Sequence, residues 1–203
     1  MNIRITNDSV EINGYVNAVE RKSKPLISRL GRFVERICSG AFGRALERND
    51  NVRILLNHDW NRDLGGTKDG NLELTEDNIG LRARAIITDR DVIEKARHGD
   101  LVGWSFGFTD VSVRQHEEDG MPTRDVEDLN LYEVSILDRT KSPAYAGTLI
   151  SVRADDDIQY YGDITTDEIE IRDESDDQNQ QEETPVPIDY SQWENMIKEM
   201  REE

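Results

Sequence analysis

Short runs of β-branched and aromatic residues, separated by glycine- and aspartate-rich turns, dominate the first 153 positions of the chain. Residues 10–20 (VEINGYVNAVE) group such residues around Gly14, the pattern of a strand with a bulge or bend. Over residues 26–48 the period changes. Leu26, Leu30, Phe33, Val34 and Ile37 recur at helical spacing, and Gly40 and Gly43 break the run, so a helix followed by a turn or short helix is expected. Residues 51–57 (NVRILLN) return to a strand that leads into His58. Turn signals at Gly65-Gly66, Asp69-Gly70 and Asp77-Asn78 then punctuate an antiparallel meander. Thr88 or Asp89 can cap a helix that runs to Arg97 and stops at Gly99. Residues 101–115, 122–138 and 147–153 read as three further strands. About seven strands, two helical regions and no βαβ alternation predict a β-rich α+β fold, a small β-barrel with helices packed outside it.

The last fifty positions differ in kind. Residues 154–203 hold 18 acidic and 3 basic residues, so most of the net charge of −18 belongs to them and residues 1–153 are nearly neutral. Residues 154–188 are too charged and too poor in aromatics to offset chain entropy by burial, and an acidic disordered linker is expected. In residues 189–203, Trp193, Met196, Ile197 and Met200 fall at i, i+3, i+4 and i+7, the spacing of a short amphipathic helix suited to docking. The expected organisation is a body over 1–153, a linker over 154–188 and a terminal helix over 189–203.

Charge and composition narrow the function. A net −18 is repelled by nucleic-acid phosphates and by anionic membranes, so neither is an expected partner. No apolar run has the roughly 18–20 residues needed to span a bilayer, and MNIRITNDSVEING lacks the apolar centre of a signal peptide, so a cytoplasmic location is expected. The single cysteine, Cys38, excludes an internal disulfide and a thiolate cluster; it is expected on a helix and inert.

Candidate chemistry rests on three residues. Of the three histidines, His116 sits in a polar turn and His98 at a helix C-terminus, where an imidazolium complements the helix dipole. His58 shares parity with Val52, Ile54 and Leu56 and projects from the inward face where its strand ends. Gly103-Trp104-Ser105-Phe106-Gly107 matches the G-x-S-x-G elbow of α/β-hydrolases, but no helix follows and no later His-bearing segment completes it. Read as a strand, the segment points Val102, Trp104, Phe106 and Phe108 to the core and Ser105 to the other face, which Gly103 and Gly107 leave clear. Glu133 lies in the apolar run LNLYEVSIL, where an ionised carboxylate costs several kcal/mol unless it is paired. One nucleophile, one base and one orienting acid are therefore present, although an ordinary strand serine and an edge glutamate fit the same composition.

The segments GYVNAVE, FVERICSGAFGRAL, ILLNHDW, LGGTKDGNLELTEDNIGLRARA, GWSFGF and LYEVSILDRTKSPAYAGT occur in an order that resembles the prohead maturation proteases of tailed bacteriophages. Those proteases are similar in fold and mechanism to the herpesvirus assemblins. The resemblance covers about three quarters of the chain. It implies a serine endopeptidase with Ser105 as nucleophile, His58 as general base and Glu133 in the place of the assemblins' second histidine, with Asp59 and Asp138 as competing acids. It further implies oxyanion donors in the loop 139–142 and no metal or organic cofactor. The implied substrates are capsid-protein extensions, scaffold segments and the protease itself, inside a prohead in the host cytoplasm, with self-association or a homodimer as the working form. The competing expectation is a catalytically idle β-barrel that serves as a scaffold or minor capsid component through its acidic tail.

Overall fold

In the computed structural model, the described residues are 1–28, 31–141, 159–163 and 170–174. In chain order the strands are β1 (Asn2–Ile5), β2 (Val10–Ala18), β3 (Leu26–Ser28), β4 (Gly31–Ile37), β5 (Arg53–Leu56), β6 (Asp59–Gly66), β7 (Leu72–Glu76), β8 (Gly80–Ile87), β9 (Leu101–Glu118), β10 (Met121–Asp138), β11 (Gln159–Asp163) and β12 (Glu170–Asp173). Helix α1 (Ala41–Arg48) separates β4 from β5, and α2 (Arg90–Arg97) separates β8 from β9.

The long hairpin of β9 and β10 organises the molecule. Its turn is Asp119-Gly120, both with positive φ, as a two-residue turn matched to the strand twist requires. On the far edge of β10, β4 pairs in parallel with Thr123–Val126 and β5 pairs in parallel with Glu133–Ile136. Between those two partners α1 covers the edge: Arg44 donates to the carbonyl of Glu127, Arg48 to that of Leu129 and Asn49 to that of Leu131. A seven-stranded sheet results, with the path β11-β9-β10-β4-β3, β5 paired to β10 and β6 paired to β5. The second sheet has five strands in the order β12-β1-β2-β8-β7.

One apolar core joins the sheets. Ile3, Ile5 and Ile12 from one meet Trp104, Phe106, Phe108 and Val134 from the other, and α1 contributes Phe42, whose ring meets that of Phe106 edge-on at 5.3 Å. Burial of each such side chain stabilises by about 1.5–3 kcal/mol. Gly14 stands where a Cβ would lie 3.1 Å from the Trp104 indole nitrogen, so its role is close approach.

The β-rich α+β class expected from sequence is the observed one, but among the described residues the strands form two open sheets and do not close into a barrel. The expected helix at the start of residues 26–48 is instead the pair β3 and β4, with α1 beginning only at Ala41. Phe33, Val34 and Glu35 are consecutively buried, so both faces of β4 are covered and its apolar residues do not alternate, which imitates a helical period. Helix α2 matches its expected limits, with the Asp89 carboxylate accepting from the Val92 amide at 3.1 Å and Gly99 at φ +68°. Cys38 falls in the loop between β4 and α1 rather than on a helix, and burial pushes its thiol pKa up, so the unreactive protonated form is favoured.

The expected strand 147–153 and the terminal helix 189–203 lie outside the described residues. So does most of the expected linker, but its two described pieces are β11 and β12, which corrects the reading of 154–188 as wholly unstructured. All four residues of β12 are exposed, and its attachment to β1 uses backbone pairing together with the ion pairs Arg4–Glu174 and Arg97–Asp173. A strand held this way leaves no apolar signature in the sequence.

Candidate functional site

The site is built where β5 turns into β6. Leu56 pairs with Asp59, which leaves Asn57 and His58 as the two residues of the turn, with φ values of +58° and +60°. Both angles are those of a type I′ turn. Asparagine tolerates this conformation well, whereas a histidine there is held by its surroundings. The expectation that His58 ends a strand is thereby corrected: β5 stops at Leu56, and His58 is aimed by the turn.

Three hydrogen bonds tie the turn to β10. The Asn57 amide donates to the carbonyl of Ile136 at 2.9 Å, the Asn57 side-chain oxygen accepts from the Asp138 amide at 3.0 Å, and the His58 amide donates to Ser135 Oγ at 3.0 Å. Ser135 Oγ in turn donates to Glu133 Oε2 at 2.6 Å.

The ring of His58 therefore lies between two polar side chains. Its Nδ1 is 2.7 Å from Glu133 Oε1 and its Nε2 is 2.7 Å from Ser105 Oγ. A carboxylate accepts only, so the pairing favours the tautomer in which Nδ1–H donates to Glu133 and Nε2 accepts from the serine hydroxyl. Glu133 and Ser105 have no exposed surface. Such burial makes an unpaired carboxylate costly by several kcal/mol and strengthens each bond made to it.

Strand geometry explains why these residues meet. Ser105 lies opposite Ser135 in the β9–β10 ladder and Gly107 lies opposite Glu133, so the glycines beside Ser105 leave room for the imidazole above the sheet. Between Leu131 and Glu133 the ladder slips by one residue, placing Tyr132 in a β-bulge. A bulge re-aims the side chains that follow it. A second irregularity at Val102 explains why Val102 is only half-buried while Leu101 takes a core position, contrary to the expected parity.

The competing acids are engaged elsewhere. Asp59 is exposed and accepts from the Asn61 amide at 2.9 Å. Asp138 accepts from Thr140 and pairs with Lys95 at 3.3 Å. Burial pushes its carboxyl pKa up, and the bonds from Thr140, Asn57 and Lys95 outweigh that and leave it below the ordinary 3.8. The stability this contributes is complete above the unfolded-state value and lost as pH falls through the lower folded-state one. Asp138→Asn is therefore expected to flatten the acid limb of a melting-temperature profile below about pH 4. An unchanged acid limb would show that the pairing contributes nothing.

In the loop expected to hold oxyanion donors, the Arg139 amide donates to the carbonyl of Asp100 and the Thr140 amide to Asp138 Oδ1, both at 2.9 Å. These two N–H groups are thus committed to the protein itself. Ser142 lies outside the described residues. His116 stays apart from the site, exposed on β9 beside Glu118, and His98 caps α2. Among the described residues no cluster of three or more His, Cys, Asp or Glu side chains is arranged to hold a metal ion, and no helix is long and apolar enough to cross a membrane.

Sequence reasoning singled out His58, Ser105 and Glu133, and the structure brings all three together. It missed Ser135 and Asn57. Ser135 had a legible signal, since it shares strand parity with Glu133 two residues away.

A family model described as caudovirus prohead serine protease matches residues 1–161, running past the expected boundary at 153 into β11. No curated protein matches the chain.

Proposed function

The chain belongs to the caudovirus prohead serine protease family, and from that membership we propose that it is an endopeptidase of phage capsid maturation in which Ser105, His58 and Glu133 carry the chemistry. The observation that supports this reading is the continuous chain of 2.7 Å contacts from Ser105 Oγ through both ring nitrogens of His58 to Glu133.

In the proposed reaction Ser105 Oγ attacks the scissile carbonyl carbon as its proton passes to His58 Nε2. The tetrahedral adduct collapses with cleavage of the C–N bond, and Nε2–H protonates the leaving amine. Water then repeats the sequence on the acyl-enzyme: its proton goes to Nε2, its oxygen to the carbonyl carbon, and the proton returns to Ser105 Oγ. Glu133 holds the tautomer and stabilises the imidazolium without taking the proton. The substrates are capsid-protein extensions and scaffold segments, met within the procapsid in the host cytoplasm. Co-expression with the capsid and scaffold proteins of the same phage tests this. Mass spectrometry is expected to show new termini with the unaltered chain and none with Ser105→Ala; identical termini in both would remove the proposal.

Ser135 acts as a positioning residue, since it touches both the His58 amide and Glu133. Ser135→Ala leaves the His58 N–H and one oxygen of the buried Glu133 carboxylate short of a partner, at a cost of about 1–3 kcal/mol. The expected result is a fall in kcat of about tenfold, equivalent to ~1.4 kcal/mol, with KM unchanged. A change confined to KM would place Ser135 in substrate binding instead.

A further inference from the structure

Ser105 has no exposed surface, yet a peptide carbonyl must reach its Oγ if the proposed function is right. The backbone around it is also enclosed. On one side β9 pairs with β10; on the other it pairs antiparallel with β11, in the register Phe108 with Gln159, Gly107 with Tyr160, Phe106 with Tyr161, Ser105 with Gly162 and Trp104 with Asp163. The outer edge of β9 is therefore filled, at the nucleophile, by a strand from the acidic C-terminal part of the same chain.

An exposed strand edge beside a nucleophile is a ready-made groove for an extended peptide. Main-chain hydrogen bonds supply affinity there without demanding a particular sequence. The structure shows that the β9 edge accepts an antiparallel strand, and that the strand it holds is the chain's own. Beyond β11 the chain is pinned again, because β12 pairs in parallel with β1 through Asn2–Glu170 to Ile5–Asp173, and Arg4 is paired with Glu174 at 2.7 Å. The occupant is thus tethered at both ends.

We propose that the Trp104–Phe108 edge of β9 is the substrate-strand groove and that residues 159–163 fill it in cis, keeping the enzyme latent until a substrate strand displaces them. This inference rests on the reading of Ser105 as the nucleophile. A tethered strand competes at an effective concentration in the millimolar range. Dilute substrate then loses to β11, while substrate segments crowded inside a shell compete with it on equal terms. The substrate class that follows is an extended segment of the capsid or scaffold protein, free of proline where it faces β9.

The test uses the full chain with Tyr161→Pro and Gly162→Pro together. Alternate residues of a strand turn their N–H to a given neighbour, so one of two adjacent prolines removes a donor aimed at β9 whatever the phase. Labelling of Ser105 by a fluorophosphonate is expected to be at least tenfold faster in this variant than in the unaltered chain. Equal rates in the two chains would overturn the occupancy of the groove and leave Ser105 as the nucleophile. Absence of Ser105 labelling from both would overturn the catalytic reading itself. A second measurement needs no variant: after reaction of the unaltered chain with a peptidyl phosphonate, amide hydrogen exchange over residues 159–163 is expected to rise at least tenfold, and unchanged protection would contradict displacement.

Discussion

Replacing Ser105 with alanine is expected to lower peptide cleavage by at least ~10⁴-fold while the protein remains folded. The hydroxyl is the only part of the side chain removed, and Trp104 and Phe106, which hold this stretch of β9 in the core, lie on the opposite face. The lost bond to His58 costs stability only on the order of 1 kcal/mol. His58→Asn should cost a similar factor in rate, since asparagine accepts the positive φ of the turn but offers no base at the position of Nε2. The two losses should not add. When groups act as one unit, removal of either already abolishes the step they share, so the double variant is expected to be no slower than the worse single one. Steady-state cleavage of a capsid-derived peptide, with circular dichroism as the folding control, reads all three. A folded Ser105→Ala protein with normal turnover would refute the assignment of the nucleophile.

The second large effect belongs to Glu133. Glutamine keeps the volume and one acceptor but presents an amide that can donate to Nδ1, which favours the opposite tautomer and withdraws the base from Ser105. A loss of kcat on the order of 10³–10⁴ is expected for Glu133→Gln. The competing acids provide the control. Asp138 is already held by Lys95 and Thr140, and Asp59 is exposed in the adjoining strand. Asp138→Asn and Asp59→Asn should therefore stay within a few-fold of normal turnover. Should Asp138→Asn be the variant that loses activity, the orienting role passes to Asp138.

How far these residues could be read from sequence differs for each, for physical reasons. Ser105 was legible because strand parity separates it from Trp104, Phe106 and Phe108 and leaves glycines on its own face. Glu133 was legible because a carboxylate in an apolar run requires a partner. The aim of His58 was not legible: parity treated residues 51–58 as one strand, whereas Asn57 and His58 both adopt positive φ and fold the imidazole back over β10. Only backbone geometry carries that information. The bulge at Tyr132, which re-aims Glu133, was equally hidden, since a single extra residue in one strand is defined by its partner strand.

The fold divides in the same way. Helix α2 was recognisable from local chemistry, an aspartate cap and a terminating glycine. Strand β4 read as helix because both of its faces bury residues, a tertiary effect that hides the period of two. Closure into a barrel was an extrapolation from strand count, and strand count says nothing about which edges meet. Strand β12 was missed because backbone pairing and ion pairs, not buried apolar area, attach it, and β11, which pairs with β9 through its backbone, lies in the same acidic segment. The charge that marks this segment as solvent-loving thus coexists with a strand lying against the nucleophile's own strand.

The central claim is that His58 activates Ser105. Its most direct measurement is mass spectrometry of the intact and proteolysed chain after treatment with a fluorophosphonate, carried out on the unaltered protein and on His58→Asn. The account predicts a single covalent adduct on Ser105 in the unaltered protein and its loss in His58→Asn. An adduct on Ser105 that forms at the same rate without the imidazole, or an adduct on another serine, would contradict it.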